Sequence, residues 1–188
     1  MNSLSSFDDN ILAVDIASEA INMNSLSSFE TWALNNNLII EHCNKKKDVL
    51  NNEVLMAFKN IEYETCFLDF LNYFSKVESE DQKVWFWCLN DYKYSSNSNE
   101  FTWNEFEKIS KSYAMNETER NKINEWWLCH LPISISLREG YSYLAIDLIG
   151  NVGSVVVGYE PIFEDATTIA DSFEELLGQI ISGNLKWF

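Results

Sequence analysis

Four cysteines and two histidines are the residues best suited to metal or nucleophilic chemistry: Cys43, Cys66, Cys88, Cys129, His42 and His130. Cys129 and His130 are neighbours and, with Cys43 or Cys88, could contribute to a zinc site. No Cys-x-x-Cys pair exists, the spacing matches no standard zinc finger, and adjacent ligands converge poorly. A Cys–His nucleophile pair fails for a similar reason, since neighbours on a strand point to opposite faces. Cys66 and Cys88 sit inside apolar runs, as buried free thiols do. Carboxylate pairs such as Glu164-Asp165 and Glu174-Glu175 could act as acid and base. In a chain with 29 acidic residues, however, such pairs arise by composition alone. Glycine-rich phosphate loops, a G-x-S-x-G elbow and calcium-loop spacing are all missing. The residues thus single out no catalytic set, and no metal or cofactor is expected, with an enzyme or metal-binding domain left as the lesser alternative.

Binding chemistry is more promising. The chain has 188 residues, with 29 acidic against 13 basic and a net charge of −16. That argues against a nucleic-acid binder, which needs a basic patch, and against docking on anionic membranes. It suits a basic protein partner. Residues 1–44 carry six acids and no Lys or Arg, and residues 139–185 carry eight acids and no base. Between them, residues 45–138 hold 15 acids and 12 bases. Asp8 and Asp9 interrupt any leader-like apolar stretch, and no apolar run approaches about 18 residues. A reducing, cytoplasmic setting is the simplest expectation.

The elements that must position these groups read as follows. Met1–Phe7 recurs as Met23–Phe29, with 10 identities in 22 at an offset of 22 residues. Ser27-Ser-Phe-Glu30, and more weakly Ser5-Ser-Phe-Asp8, resemble capping boxes, so both copies look like helix starts. Residues 1–44 are read as a duplicated helical N-terminal extension and 45–188 as the main domain. Val49, Val54, Leu55 and Phe58 suggest a first helix. Phe67, Phe70, Leu71 and Phe74 follow i, i+3, i+4, i+7 and predict an amphipathic helix over about 62–76. A turn at Glu78–Asp81 leads to an aromatic strand, Lys83–Leu89, apolar on both faces and so expected inside a sheet. Lys93–Glu100 reads as a polar loop. Short helices are expected at Trp103–Ser110 and after Asn116-Glu-Thr-Glu119. Leu131–Leu137, Tyr141–Ile149 and Ser154–Tyr159 then form a three-stranded antiparallel meander, the first strand half-buried. A last helix is capped by Asp171 or Ser172 and stopped by Gly183. The fold class is α+β, a mixed or antiparallel sheet packed against helices in one layer pair.

The C-terminal half also carries a family pattern. Trp126-Trp-Leu-Cys-His-Leu-Pro132, Tyr141-Ser-Tyr-Leu-Ala-Ile-Asp147, Val155-Val-Val-Gly158 and Ile169–Leu177 together resemble the SUKH superfamily, within it the Smi/Knr cell-wall-assembly-regulator branch. The resemblance covers 126–178 well and 50–183 loosely. The family's N-terminal signature survives only as Val49–Phe58 and Phe67–Leu71, and its glycine-rich loop is missing. Shared positions would be Trp126, Trp127, Pro132, Asp147, Gly158, Ser172 and Phe173. Structural roles suit most of them: Pro132 begins a strand, Gly158 permits a bend and Ser172 caps a helix. Asp147 stays open between turn ligand and functional group. The resemblance implies an immunity protein that neutralises a toxin domain, often a nuclease, or alternatively a regulatory scaffold without a toxin. A nuclease carries a basic groove, which an acidic inhibitor can fill. Expected partner-binding residues are Asp91 and Tyr92 after the aromatic strand, and Glu160, Phe163, Glu164 and Asp165 in a loop before the last helix.

Overall fold

Seven strands follow one another in a single antiparallel sheet, each hydrogen-bonded to its sequence neighbour. The computed structural model describes residues 24–46, 48–94 and 101–188. Helix α1 covers residues 24–35, followed by β1 (Leu38–His42). Helix α2 (Thr65–Tyr73) runs directly into β2 (Phe74–Ser79), and β3 (Val84–Phe86) follows. Helices α3 (Glu105–Tyr113) and α4 (Glu117–Cys129) precede β4 (His130–Ser136), β5 (Ser142–Asp147), β6 (Val155–Tyr159) and β7 (Ile162–Ala170). Helix α5 (Phe173–Ser182) closes the order. The class is α+β, and the expected three-stranded meander forms β4–β6 of a longer, seven-stranded one.

The sheet carries helices on both faces, not one. Side chains of successive strand residues point to opposite faces. Phe86 meets Phe29 of α1, Phe70 of α2 and Phe173 of α5, at ring separations of 6.0, 5.3 and 6.1 Å. On the other face Tyr143 meets Trp127 of α4 at 5.0 Å and Phe106 of α3 at 5.6 Å. Two covered faces explain why β4 is buried at every residue, where alternation of Ile and Ser predicts a half-buried strand. Ser134 tolerates burial because its hydroxyl donates to the Trp85 carbonyl and accepts from Trp187 Nε1.

Several expectations are corrected. The described part of the expected extension is built into the domain. Leu26 and Phe29 are fully buried, and β1 pairs along β2 from Leu38–Ser79 to His42–Phe74. Helix α1 already includes residue 24, so Ser27 is no cap; Ser5–Asp8 lies outside the described residues. Glu30 ties α1 to its neighbours, accepting from the Tyr73 hydroxyl at 2.7 Å and pairing with His42 at 3.0 Å. Instead of one helix, Val49–Phe58 forms short 3-10 turns at Val49–Asn51 and Leu55–Ala57. Asn52 breaks the run: its side-chain oxygen accepts from the Val54 and Leu55 amides, an Asx turn that competes with helix. In α2 the apolar stripe Phe67, Phe70, Leu71 is buried as its period predicts, but Phe74 begins β2. Helix α4 starts as expected, with Asn116 accepting from the Glu119 amide. Ser172 caps α5, accepting from the Glu175 amide, and Gly183 ends it at φ +74°. Part of the polar loop, residues 95–100, lies outside the described residues. Among the described residues no helix is long and apolar enough to cross a membrane.

Candidate partner-binding groove

A groove of about 900 Å³ opens between α3, the start of α4 and the β6–β7 hairpin. Its apolar lining comprises Ile109 and Tyr113 from α3, Ile123 from α4, and Ile162 and Phe163 from β7. Ile109 and Tyr113 are four residues apart and share a helical face. Glu119, Glu160 and Glu164 stand in its walls, and no described wall residue is basic. Tyr113 is 79% exposed and Ile162 61% exposed, so two large apolar side chains face solvent beside three carboxylates.

Three contacts fix this shape. Trp127 Nε1 donates to Glu164 Oε1 at 2.6 Å, joining α4 to β7. The Tyr143 hydroxyl donates to the Phe163 carbonyl at 2.6 Å; burial pushes that hydroxyl's pKa up, so it stays a donor. The Phe163 ring lies 4.5 Å from that of Phe106. Gly158, which pairs with Tyr143 across the ladder, makes room for that ring. A Cβ there would lie 2.3 Å from Tyr143 Cε1, so the residue serves close packing, and it also sits where the β6–β7 register shifts, between Val157 and Tyr159.

The expected partner residues separate. Glu160, Phe163 and Glu164 come together in the groove. Glu160 sits in the β6–β7 turn, but Phe163, Glu164 and Asp165 lie on β7 and not in a loop. Phe163 is buried, so it supports the lining and presents little surface. Asp165 is exposed on the same strand but outside the groove. Tyr92 is 1% exposed, and its hydroxyl donates to the Pro132 carbonyl at 2.7 Å. It is a core residue and cannot meet a partner in this conformation. Asp91 is half-buried and its Oδ2 accepts from the Cys88 amide at 2.7 Å; burial raises its pKa despite that bond. The sequence does not single out Tyr113, Ile123 or Ile162 as groove residues, although the Ile109–Tyr113 spacing is a signal for the first.

The family-pattern positions have structural roles here. Pro132 is the third residue of β4, not its start, and the register shifts beside it because its nitrogen cannot donate. Asp147 is a turn ligand: Oδ1 accepts from the Ile149 and Gly150 amides and Oδ2 from the Asn151 amide. Burial opposes its ionisation, but these bonds prevail and its pKa is lowered. Trp127 and Phe173 are buried, and Trp126 is half-buried with its ring 3.7 Å from that of His130.

The His130 Nδ1–H donates to the Trp126 carbonyl at 2.9 Å, and burial lowers the ring's pKa. Burial pushes the Cys66 thiol up to about 12 and the Cys88 thiol higher, away from thiolate chemistry. Among the described residues no three His, Cys, Asp or Glu side chains group to hold a metal ion. Comparison with protein-family models, with curated proteins and with solved structures finds no match to this chain.

Proposed function

We propose that this chain is a cytoplasmic immunity protein that binds and blocks a basic toxin domain, and that the groove between α3, α4 and the β6–β7 hairpin is where it does so. The observation that carries the reading is the pairing of exposed apolar side chains, Tyr113 and Ile162, with Glu119, Glu160 and Glu164 and with no base among the described walls. Apolar anchors supply affinity, and the carboxylates select a basic partner and speed its approach. The resemblance of residues 126–178 to the SUKH pattern supports the same reading, and a basic toxin, such as a nuclease, matches a net charge of −16.

The test is capture of the toxin encoded beside its gene by the full chain, repeated at rising salt. Ile162→Asp, at an exposed position, should weaken capture at least about tenfold, in the range of an interface anchor. Association should slow as salt rises. No complex, or one indifferent to salt and to Ile162→Asp, would overturn the proposal.

A further inference from the structure

A second hollow, of about 500 Å³, lies on β1–β3 at the other end of the sheet and shares no residue with the groove. Three rings meet there. Trp85 stands nearly perpendicular to Trp87 (5.6 Å, 85°) and to Phe101 (6.0 Å, 79°), while Trp87 and Phe101 stack (6.3 Å, 17°). Trp85 is half-buried and Phe101 is 38% exposed. Rings that serve only the core are normally closed off by apolar neighbours. Here the remaining wall includes Glu41, Glu78, Asp91 and Lys76. Lys76 pairs with Glu78 at 2.8 Å and Asp91 Oδ2 already accepts from the Cys88 amide, so Glu41 is the exposed carboxylate that gives the wall its negative excess. Register places them: Glu78 lies opposite Trp85 across β2–β3, and Glu41 opposite Lys76 across β1–β2.

We propose that this hollow receives a guanidinium group, the arginine side chain of a protein partner. An indole face attracts a cation most strongly among the aromatic side chains. Guanidinium is planar and weakly hydrated, so it can stack on a ring while its edge donates to carboxylates; an ammonium is a compact, strongly hydrated point charge. The site stands independently of the groove and adds a second, chemically distinct contact to an acidic protein.

The test uses the full chain labelled with nitrogen-15 and two probes, acetyl-Gly-Arg-Gly-amide and its lysine counterpart. The arginine peptide should move the indole N–H signals of Trp85 and Trp87 saturably, and the lysine peptide should bind more weakly. Phe101→Leu should weaken the arginine response by about 2- to 30-fold, the span of a cation–π contact, and Glu41→Gln by about 1.5- to 5-fold, the span of an exposed ion pair; both positions are exposed. Unchanged Trp127 and Trp187 indole signals check that each variant is folded. Ile162→Asp should leave the response intact. No shift, an equal response to lysine, or a response unaltered in both variants would overturn the assignment.

Discussion

Gly158 and Tyr143 show how much of the groove rests on single side chains. They face each other across β5–β6, and the Tyr143 ring occupies the space a Cβ would need. The same ring sends its hydroxyl to the Phe163 carbonyl and so holds the lining of the groove. Gly158→Ala should therefore destabilise by about 1–3 kcal/mol through overpacking. In a Tyr143→Leu background part of that cost should vanish, because the ring atoms in conflict are gone while the Phe163 carbonyl remains. A double-mutant cycle from urea melts reads the coupling. An equal cost in both backgrounds would place the clash with the backbone of β7, whose Phe163 carbonyl is 2.7 Å from the same virtual atom. The sequence pattern marks Gly158 but not this reason for it, since a cross-strand ring is invisible before the register is known. The Ser172 cap, by contrast, depends on residues three apart and was legible directly.

At the scale of elements, legibility follows the range of the forces. Helices α2, α4 and α5 were readable because apolar period and caps are local. Strand β7 was not: Ile162–Ala170 is an edge strand, polar at Glu164, Asp165, Thr167 and Thr168, and its register on β6 shifts twice. Nothing in such a run announces a strand, and that is why its pattern alone suggests a loop for Phe163, Glu164 and Asp165. Strand β1 was hidden by the repeat, which made residues 1–44 look like one appended helical unit. Yet Phe29 of α1 contacts Phe70, Phe74 and Phe86 at 6.2, 6.0 and 6.0 Å and is fully buried. Phe29→Ala should cost about 3–5 kcal/mol in urea melts, as a large ring lost from a core does. A cost below about 1 kcal/mol would mean α1 is an appendage after all.

The whole molecule carries the charge. Among the described residues the Lys and Arg ion pairs are Lys76–Glu78, Lys108–Glu105, Lys111–Glu107 and Arg138–Asp81, all at least partly exposed. Such pairs contribute about 0–1 kcal/mol each and weaken with salt. Against them stands mutual repulsion in a chain of net charge −16, which the folded state concentrates and the unfolded chain relieves. Salt screens both, but the repulsion involves many more groups over longer distances. Its range shrinks as the Debye length falls from about 30 Å at 0.01 M to about 8 Å at 0.15 M. The urea midpoint at neutral pH should therefore rise over that interval, by on the order of 1 kcal/mol in stability. A midpoint that falls would show that the four pairs outweigh the repulsion. The partner complex should respond with the opposite sign, since its charges attract and salt weakens them. Stability rising while association slows over the same interval is the joint signature of an acidic surface kept for a basic partner. If stability rises but association is indifferent to salt, the charge serves solubility and not recognition.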